Sequence, residues 1–180
     1  MKKNIIVAIA VICSMIVLCA AFDVNVRAAS AQSTGIANPW VETDADGLMQ
    51  TLGLQFDVPE GAEDVVYRMN ESEKLAEMRF TLYDMPFTAR IKPAGLELED
   101  ISGMFYDWDY VESVKGEFAR RWHQEKLMAV RDGEDMVEVY LWFDIVPGLT
   151  YSLSTKAHDL DGFDIIAVAE MVYHQVQGNS

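Results

Sequence analysis

Apolar and polar residues alternate along much of the chain. The segments 65–69, 76–83, 87–92 and 149–154 each place apolar side chains at every second position. This period of two is typical of β-strands with one buried and one solvated face. Residues 83–86 form a short connection between two of these segments, which predicts a hairpin.

More strands are predicted between residues 110 and 143. The segments 110–118 and 119–123 form either one bent strand or two. The segments 127–131 and 136–143 flank Asp132-Gly133. An Asp-Gly pair between two strands is a strong hairpin signal, since both residues accept a positive φ.

A short helix is predicted before the first strands. Leu48 and Leu52 are four residues apart and therefore share one helix face. Thr43 or Asp44 suits the N-cap position, where a side-chain oxygen accepts a backbone N–H. Gly53 can end the helix.

The chain closes with a second amphipathic helix, whose apolar face is formed by Ile165, Val168, Ala169 and Val172 and extended by Val176. Strands in succession followed by a helix predict an α+β fold. We expect a curved antiparallel sheet of about six to seven strands. The C-terminal helix and the short N-terminal helix pack on one side of it.

The N-terminus has the pattern of an export signal. Residues 5–22 are almost continuously apolar and follow Lys2 and Lys3, and small residues end at Ala28. This pattern predicts a signal peptide cleaved after Ala28. The alternative is an uncleaved membrane anchor, because eighteen residues make about 27 Å of helix. The predicted organisation is a signal peptide or anchor at 1–28, a flexible spacer at 29–38, a single extracytoplasmic domain at 39–176 and a tail at 177–180.

The charge of the chain disfavours nucleic acid as a partner. The 180 residues include 14 Lys and Arg against 29 Asp and Glu, a net charge of -15. Without residues 1–28, 11 basic and 28 acidic residues remain, a net charge of −17. Such a negative field repels phosphate backbones.

Both cysteines, Cys13 and Cys19, lie in the apolar N-terminal segment. The exported domain therefore has no disulfide, no thiolate metal site and no cysteine nucleophile. Its stability must come from a packed core.

The sequence contains no common catalytic motif. The nucleophile elbow, the phosphate-binding loop, the dinucleotide fingerprint and the H-E-x-x-H zinc motif are all absent. His123 and Glu125 share one face of a predicted strand, but a zinc site usually needs three protein ligands. We therefore expect a protein that is not an enzyme and has no cofactor, with calcium as the one candidate ion.

Three carboxylates near the last helix form the calcium candidate. Asp159, Asp161 and Asp164 lie within six residues, together with Gly162. Calcium prefers such oxygen ligands, although the glycine stands at position four rather than at position six as in an EF-hand. The alternative is that these residues cap the helix and complement its dipole.

Residues 105–110 mix aromatic rings with carboxylates. Tyr106 and Trp108 are candidate ligand-binding residues, because sugar sites combine stacking rings with acids that bind hydroxyls. The alternative is a strand whose buried face holds Tyr106, Trp108 and Tyr110. Asp107 and Asp109 also resemble the acid pair of a glycosidase, but two acids in so acidic a chain carry little weight.

Basic residues form the last candidate site. Arg79, Arg90 and Lys92 alternate with core residues and therefore share the outer face of the predicted sheet. They either pair with cross-strand glutamates on a solvated face or form a basic surface that docks an anionic partner.

The C-terminal half resembles a family of small bacterial extracytoplasmic domains of unknown function, found on membrane-anchored anti-sigma-like regulators, on lipoproteins and on short secreted proteins. The matching stretches are Val139–Trp142, Gly148–Leu153 and the helix from Phe163 to Tyr173, and Pro59-Glu60-Gly61 also looks similar. The sequence around Trp142 departs from the pattern, with Phe143–Val146 before the glycine. The resemblance implies an exported α+β module, with no known catalytic residues to carry over.

Three functions remain open from the sequence. The first is a non-enzymatic cell-envelope module that binds or senses a ligand, with an envelope protein or an anionic wall polymer as partner. The second is an exported hydrolase that acts on glycan or peptide through carboxylates. The third is a structural accessory subunit. In each case any membrane contact is limited to residues 5–22, if these are not cleaved.

Overall fold

An eight-stranded antiparallel sheet forms the centre of the fold. The computed structural model describes residues 38–95, 98–114, 121–129 and 135–174, with the backbone only at 121–123. The strands are β1 (Val41–Thr43), β2 (Glu63–Asn70), β3 (Leu75–Leu82), β4 (Met85–Pro93), β5 (Tyr110–Ser113), β6 (Arg121–Ala129), β7 (Met136–Asp144) and β8 (Leu149–Ala157). Two helices, α1 (Ala45–Leu52) and α2 (Ile165–Val172), complete the described part.

The sheet consists of two meanders joined in the middle. The strand order is β1-β2-β3-β4-β8-β7-β6-β5, and every neighbouring pair is antiparallel. The predicted α+β class with an antiparallel sheet is therefore confirmed. The predicted count of six to seven strands is wrong, since eight strands occur among the described residues. One cause is β1, whose three residues are too short to show an alternation.

Both helices contribute to the main core on one face of the sheet, which we call the inner face. Leu48 of α1 and Ile165 and Val168 of α2 are buried in the same cluster as the inner side chains of the strands. Trp142 stacks between two tyrosines, with ring centroids 5.1 Å from Tyr140 and 4.9 Å from Tyr151. This apolar burial is the main source of stability in a chain without disulfides in its domain.

The two ends of α1 are capped as the sequence predicts. The Asp44 side chain accepts a hydrogen bond of 2.8 Å from the Gly47 N–H. Gly53 takes a left-handed conformation with φ 68°, and its N–H donates to the Met49 carbonyl. Such a φ is a common end to a helix, because glycine has no Cβ to clash.

The hairpin predicted at residues 83–86 is also present and joins β3 to β4. Leu82 pairs directly with Met85, which leaves Tyr83 and Asp84 as a two-residue loop. Both loop residues have positive φ, 53° and 59°, as a turn that matches the twist of an antiparallel pair requires. The hairpin predicted at Asp132-Gly133 lies outside the described residues.

Some predictions concern parts of the chain that the structure does not describe. These are the signal peptide or anchor at 1–28, the spacer up to residue 37, Val176 and the tail at 177–180. Of the helices that the structure describes, none is long and apolar enough to cross a membrane.

We expect Phe87→Ala to lower the free energy of unfolding by about 3–5 kcal/mol, since it opens a cavity in the core. The Phe87 ring is buried, stacks on Phe80 at 5.2 Å and contacts Phe163. The same substitution at exposed Phe105 is the control and should change stability by no more than about 0.5 kcal/mol. Urea denaturation measures both values, and equal losses would contradict the assignment of the core.

Candidate functional site

A long connection crosses the face of the sheet opposite the helices, which we call the outer face. β4 lies in the middle of the sheet and β5 at its edge, so the chain between them must pass β8, β7 and β6. We call residues 98–109 of this connection the strap. It has no helix or strand of its own. Four of its side chains pack on an apolar cluster of β6 and β7: Leu98, Met104, Tyr106 and Trp108 against Leu127, Val137, Val139 and Leu141.

The strap changes the environment of the outer face. Every residue of β7 from Val137 to Asp144 is buried, so β7 has apolar cover on both sides. The outer side chains of β8 beneath the strap are small and buried, namely Thr150, Ser152 and Ser154. The expectation of a solvated outer face is therefore wrong for this part of the sheet.

Three arginines converge on one buried carboxylate beside the strap. Glu77 is fully buried, and its Oε1 accepts from Arg68 Nη2 at 2.6 Å and from Arg79 Nε at 2.7 Å. Its Oε2 accepts from Arg90 Nε at 2.8 Å. We call these four residues the arginine cluster. Strand register produces it, because Glu77 stands directly opposite Arg68 on β2 and Arg90 on β4.

The arginines keep Glu77 ionised. Burial alone would raise its pKa, but the charge of Arg90 and the hydrogen bonds from Arg68 and Arg90, together with the charge of Arg79, outweigh this effect. They hold the pKa of Glu77 below its ordinary value. The cluster therefore contains three positive charges and one negative charge at neutral pH.

The arginine cluster also attaches two irregular segments to the sheet. The Trp40 ring lies against two guanidinium groups, with its centroid 5.1 Å from Arg68 Cζ and 5.2 Å from Arg90 Cζ. Arg90 Nη1 donates to the Ile101 carbonyl of the strap at 3.0 Å. Gly103 lies so close that a Cβ there would be 2.2 Å from Arg90 Nη1, and its φ is +69°. Both facts favour glycine at this position.

The three basic candidates lie on the outer face but differ in their contacts. Arg90 is bound to Glu77 and to the strap, and Lys92 is paired with strap residue Glu99 at 3.0 Å. Arg79 contacts Glu77 through Nε alone, and half of its side chain is exposed. Sequence reasoning did not identify Glu77 as the centre of the group, because the signal for it is cross-strand register and not local pattern.

The aromatic candidates form an open groove on the strap. Tyr106 and Trp108 meet edge to face at 5.6 Å. Their inner sides pack on the sheet, and their outer sides line a groove of about 460 Å³. Its lining is completed by Asp100, Met104, Phe105 and Asp107. We call this the aromatic groove. Phe105 is 94% exposed, so folding does not bury it.

The strand interpretation of residues 106–110 is wrong for its first part. Tyr106 and Trp108 lie on the strap, and β5 begins only at Tyr110, which is about half exposed. The two acids of the glycosidase hypothesis also separate. Asp107 lines the groove, whereas Asp109 does not line it and donates its backbone N–H to Met128 of β6.

The acidic segment before α2 binds backbone groups. Asp164 is the N-cap and accepts from the N–H groups of Ile166 and Ala167, and Asp159 accepts from the N–H of Asp161. These bonds match the capping alternative. Within the described ranges, no three His, Cys, Asp or Glu side chains are grouped to hold a metal ion. Calcium binding stays a prediction. The His123 side chain lies outside the described residues.

A second glutamate, Glu138 on β7, is buried on the inner face and paired with Lys126 of β6. Burial raises the pKa of Glu138, Lys126 opposes this rise and Asp164 adds to it. At Glu138 one cation thus does not offset the rise in pKa that burial causes, whereas at Glu77 three cations do.

A larger cavity of about 640 Å³ lies beside β1 and β2. Its lining includes Glu42, Asp44 and a single aromatic residue, Tyr67. Asp44 already serves as the helix cap. The aromatic groove is therefore the stronger candidate, because three rings and two carboxylates converge on it.

No protein-family model matches the sequence, and neither a curated protein nor a solved structure shows significant similarity to it.

We expect Glu77→Gln to lower the free energy of unfolding by about 3 kcal/mol, since it leaves three arginines close together without a counter-charge. Glu99→Gln, which breaks the exposed ion pair with Lys92, is the matched control and should cost less than about 1 kcal/mol. Chemical denaturation at pH 7 measures both. Equal losses would show that Glu77 is not the centre of the cluster.

The lowered pKa of Glu77 predicts a loss of stability in acid. The ordinary value is 4.5, so below it the unfolded chain binds a proton that the folded chain still excludes. The contribution of Glu77 is thus present above this pH and declines as pH falls towards the folded-state pKa. Melting curves between pH 7 and pH 3 should show a smaller acid-induced decline for Glu77→Gln than for the wild type. Parallel declines would contradict the assignment.

Proposed function

We propose that this protein is an exported, non-enzymatic module of the cell envelope that binds glycan chains in the aromatic groove. The exposure of Phe105 is the observation that carries the proposal. Its ring is almost wholly exposed at the rim of a groove that also holds Tyr106 and Trp108. Large exposed rings beside a concave surface are typical of binding sites.

The chemistry of the groove suits a sugar. A pyranose has apolar C–H faces that pack on aromatic rings and hydroxyls that donate hydrogen bonds. The rings of Phe105, Tyr106 and Trp108 supply the first kind of contact. The Asp107 carboxylate supplies acceptors for the second, together with the remaining capacity of Asp100, whose Oδ1 accepts from the Ser102 N–H at 2.9 Å. The groove is open along the surface, which favours a segment of a chain over a small enclosed ligand.

The N-terminal pattern and the family resemblance support the location. A signal peptide or anchor at residues 1–28 would bring the domain to the outside of the membrane, where glycans are abundant. The resembling domains are extracytoplasmic modules. A basic N-terminus, a long apolar run and a polar spacer fit such a module in either the secreted or the anchored form.

We expect Phe105→Ala to weaken glycan binding by about tenfold, which corresponds to about 1.4 kcal/mol. The substitution removes a stacking surface but no buried contact, so the fold should be unchanged. The measurement is calorimetric titration of the purified full-length protein with neutral and acidic cell-wall oligosaccharides.

Tyr83→Asn is the matched control. Tyr83 is also exposed and aromatic, but it lies in the β3–β4 turn and does not line the groove. Asparagine tolerates its positive φ. This variant should bind like the wild type. Binding that Phe105→Ala leaves unchanged, or no binding by the wild type, would refute the proposed function.

A further inference from the structure

The arginine cluster and the aromatic groove are neighbours on the outer face. Arg90 donates to the Ile101 carbonyl, and Ile101 follows the groove residue Asp100 directly in the chain. Gly103, whose backbone approaches Arg90, is followed by the groove residues Met104 and Phe105. The strap therefore contacts the cluster at Ile101 and Gly103, which lie between the groove residues Asp100 and Met104.

The cluster has a surplus of positive charge. Three arginines share one carboxylate, so two positive charges are left without an acid in the group. Arg68 and Arg90 are mostly buried, with 22% and 15% of their side chains exposed, and both contact Trp40. These two arginines are held in place by the fold.

Arg79 differs from its two neighbours. Its side chain is 50% exposed, and its Nε alone binds Glu77. Among the described residues, Glu77 is the only acid paired with it. A guanidinium carries five N–H donors, and within the described residues only the Nε–H of Arg79 donates to Glu77. Its terminal nitrogens have the planar geometry that binds a carboxylate or a phosphate through two parallel hydrogen bonds.

We propose that Arg79 is an anion subsite next to the aromatic groove, and that the ligand is a glycan bearing acidic groups, either carboxylates or phosphates. This inference rests on the proposed glycan-binding function and adds the charge of the ligand. Glu77 holds Nε and thereby orients the guanidinium, while Arg68 and Arg90 offset the charge of Glu77. An arriving anion therefore meets an oriented pair of donors on a cluster whose three arginines and one carboxylate carry a net charge of two positive units.

The test uses three probes on the full-length protein. They are an oligogalacturonide with a single free carboxylate, its fully methyl-esterified form, which has the same sugars without the charge, and a neutral hexose oligomer with a single phosphodiester link. We expect the acidic oligogalacturonide to bind at least about tenfold more tightly than the ester, in line with one charge-assisted bidentate contact. The phosphodiester probe distinguishes phosphate from carboxylate as the preferred group.

Arg79→Gln should reduce the affinity for both acidic probes to that for the ester and leave the ester unaffected. Glu77 retains Arg68 and Arg90 in this variant, so the fold should persist, which its melting temperature checks. Lys74→Asn is the control. It removes one positive charge from the exposed β2–β3 turn, at a positive φ that asparagine tolerates, and should change none of the affinities.

The possible results separate the two proposals. Equal affinity for the ester and both acidic probes, or acidic binding that Arg79→Gln leaves unchanged, would overturn the anion subsite while glycan binding stands. Acidic binding that depends on Arg79 but not on Phe105 would overturn the groove as the glycan site. No binding of any probe would overturn both.

Discussion

The burial of the Glu77 carboxylate is the constraint on which the outer face depends. An isolated charge without water costs several kcal/mol, so Glu77 is tolerated only with its arginines in place. Two of them, Arg68 and Arg90, come from the flanking strands, and the charge thereby fixes the register of β2, β3 and β4. Arg90 then binds the strap and contacts Trp40. A single buried acid thus links strand register to the segment that carries the aromatic groove.

The strap itself follows from topology. A connection between a central and an edge strand has to cross the intervening strands, and it must bury apolar side chains to stay there. Residues 104–108 do this by alternation, with Met104, Tyr106 and Trp108 towards the sheet and Phe105 and Asp107 towards solvent. Beneath it, the hydroxyls of Thr150 and Ser152 are buried and form no hydrogen bond within the described residues. Such groups cost about 1–3 kcal/mol each, so the apolar packing of the strap has to offset this cost.

Local sequence patterns predicted the features that depend on contacts between residues close together in the chain. Period-two segments marked most strands, Asp44 and Gly53 marked the ends of α1, and the alternation of Arg79, Arg90 and Lys92 placed them on one face. The pairing of β4 with β8 joins residues 56 to 68 positions apart, and no local pattern encodes it. Without that pairing, neither the course of the strap nor the burial of β7 on both sides can be derived. The near-continuous apolar run of β7 was the available signal for cover on both faces.

Charge distribution limits the kind of ligand that the proposed site can accept. The domain carries a net charge of −17 from its sequence, while the arginine cluster has a local surplus of positive charge. A dense polyanion such as nucleic acid brings many charges into the negative field of the whole domain and is repelled. A glycan with acidic groups spaced along it brings few charges, and one of them meets the cluster. At physiological salt the Debye length is about 8 Å, so contacts at Arg79 act at short range while the more distant acids are screened. Local attraction and overall repulsion together favour sparsely charged chains over densely charged ones.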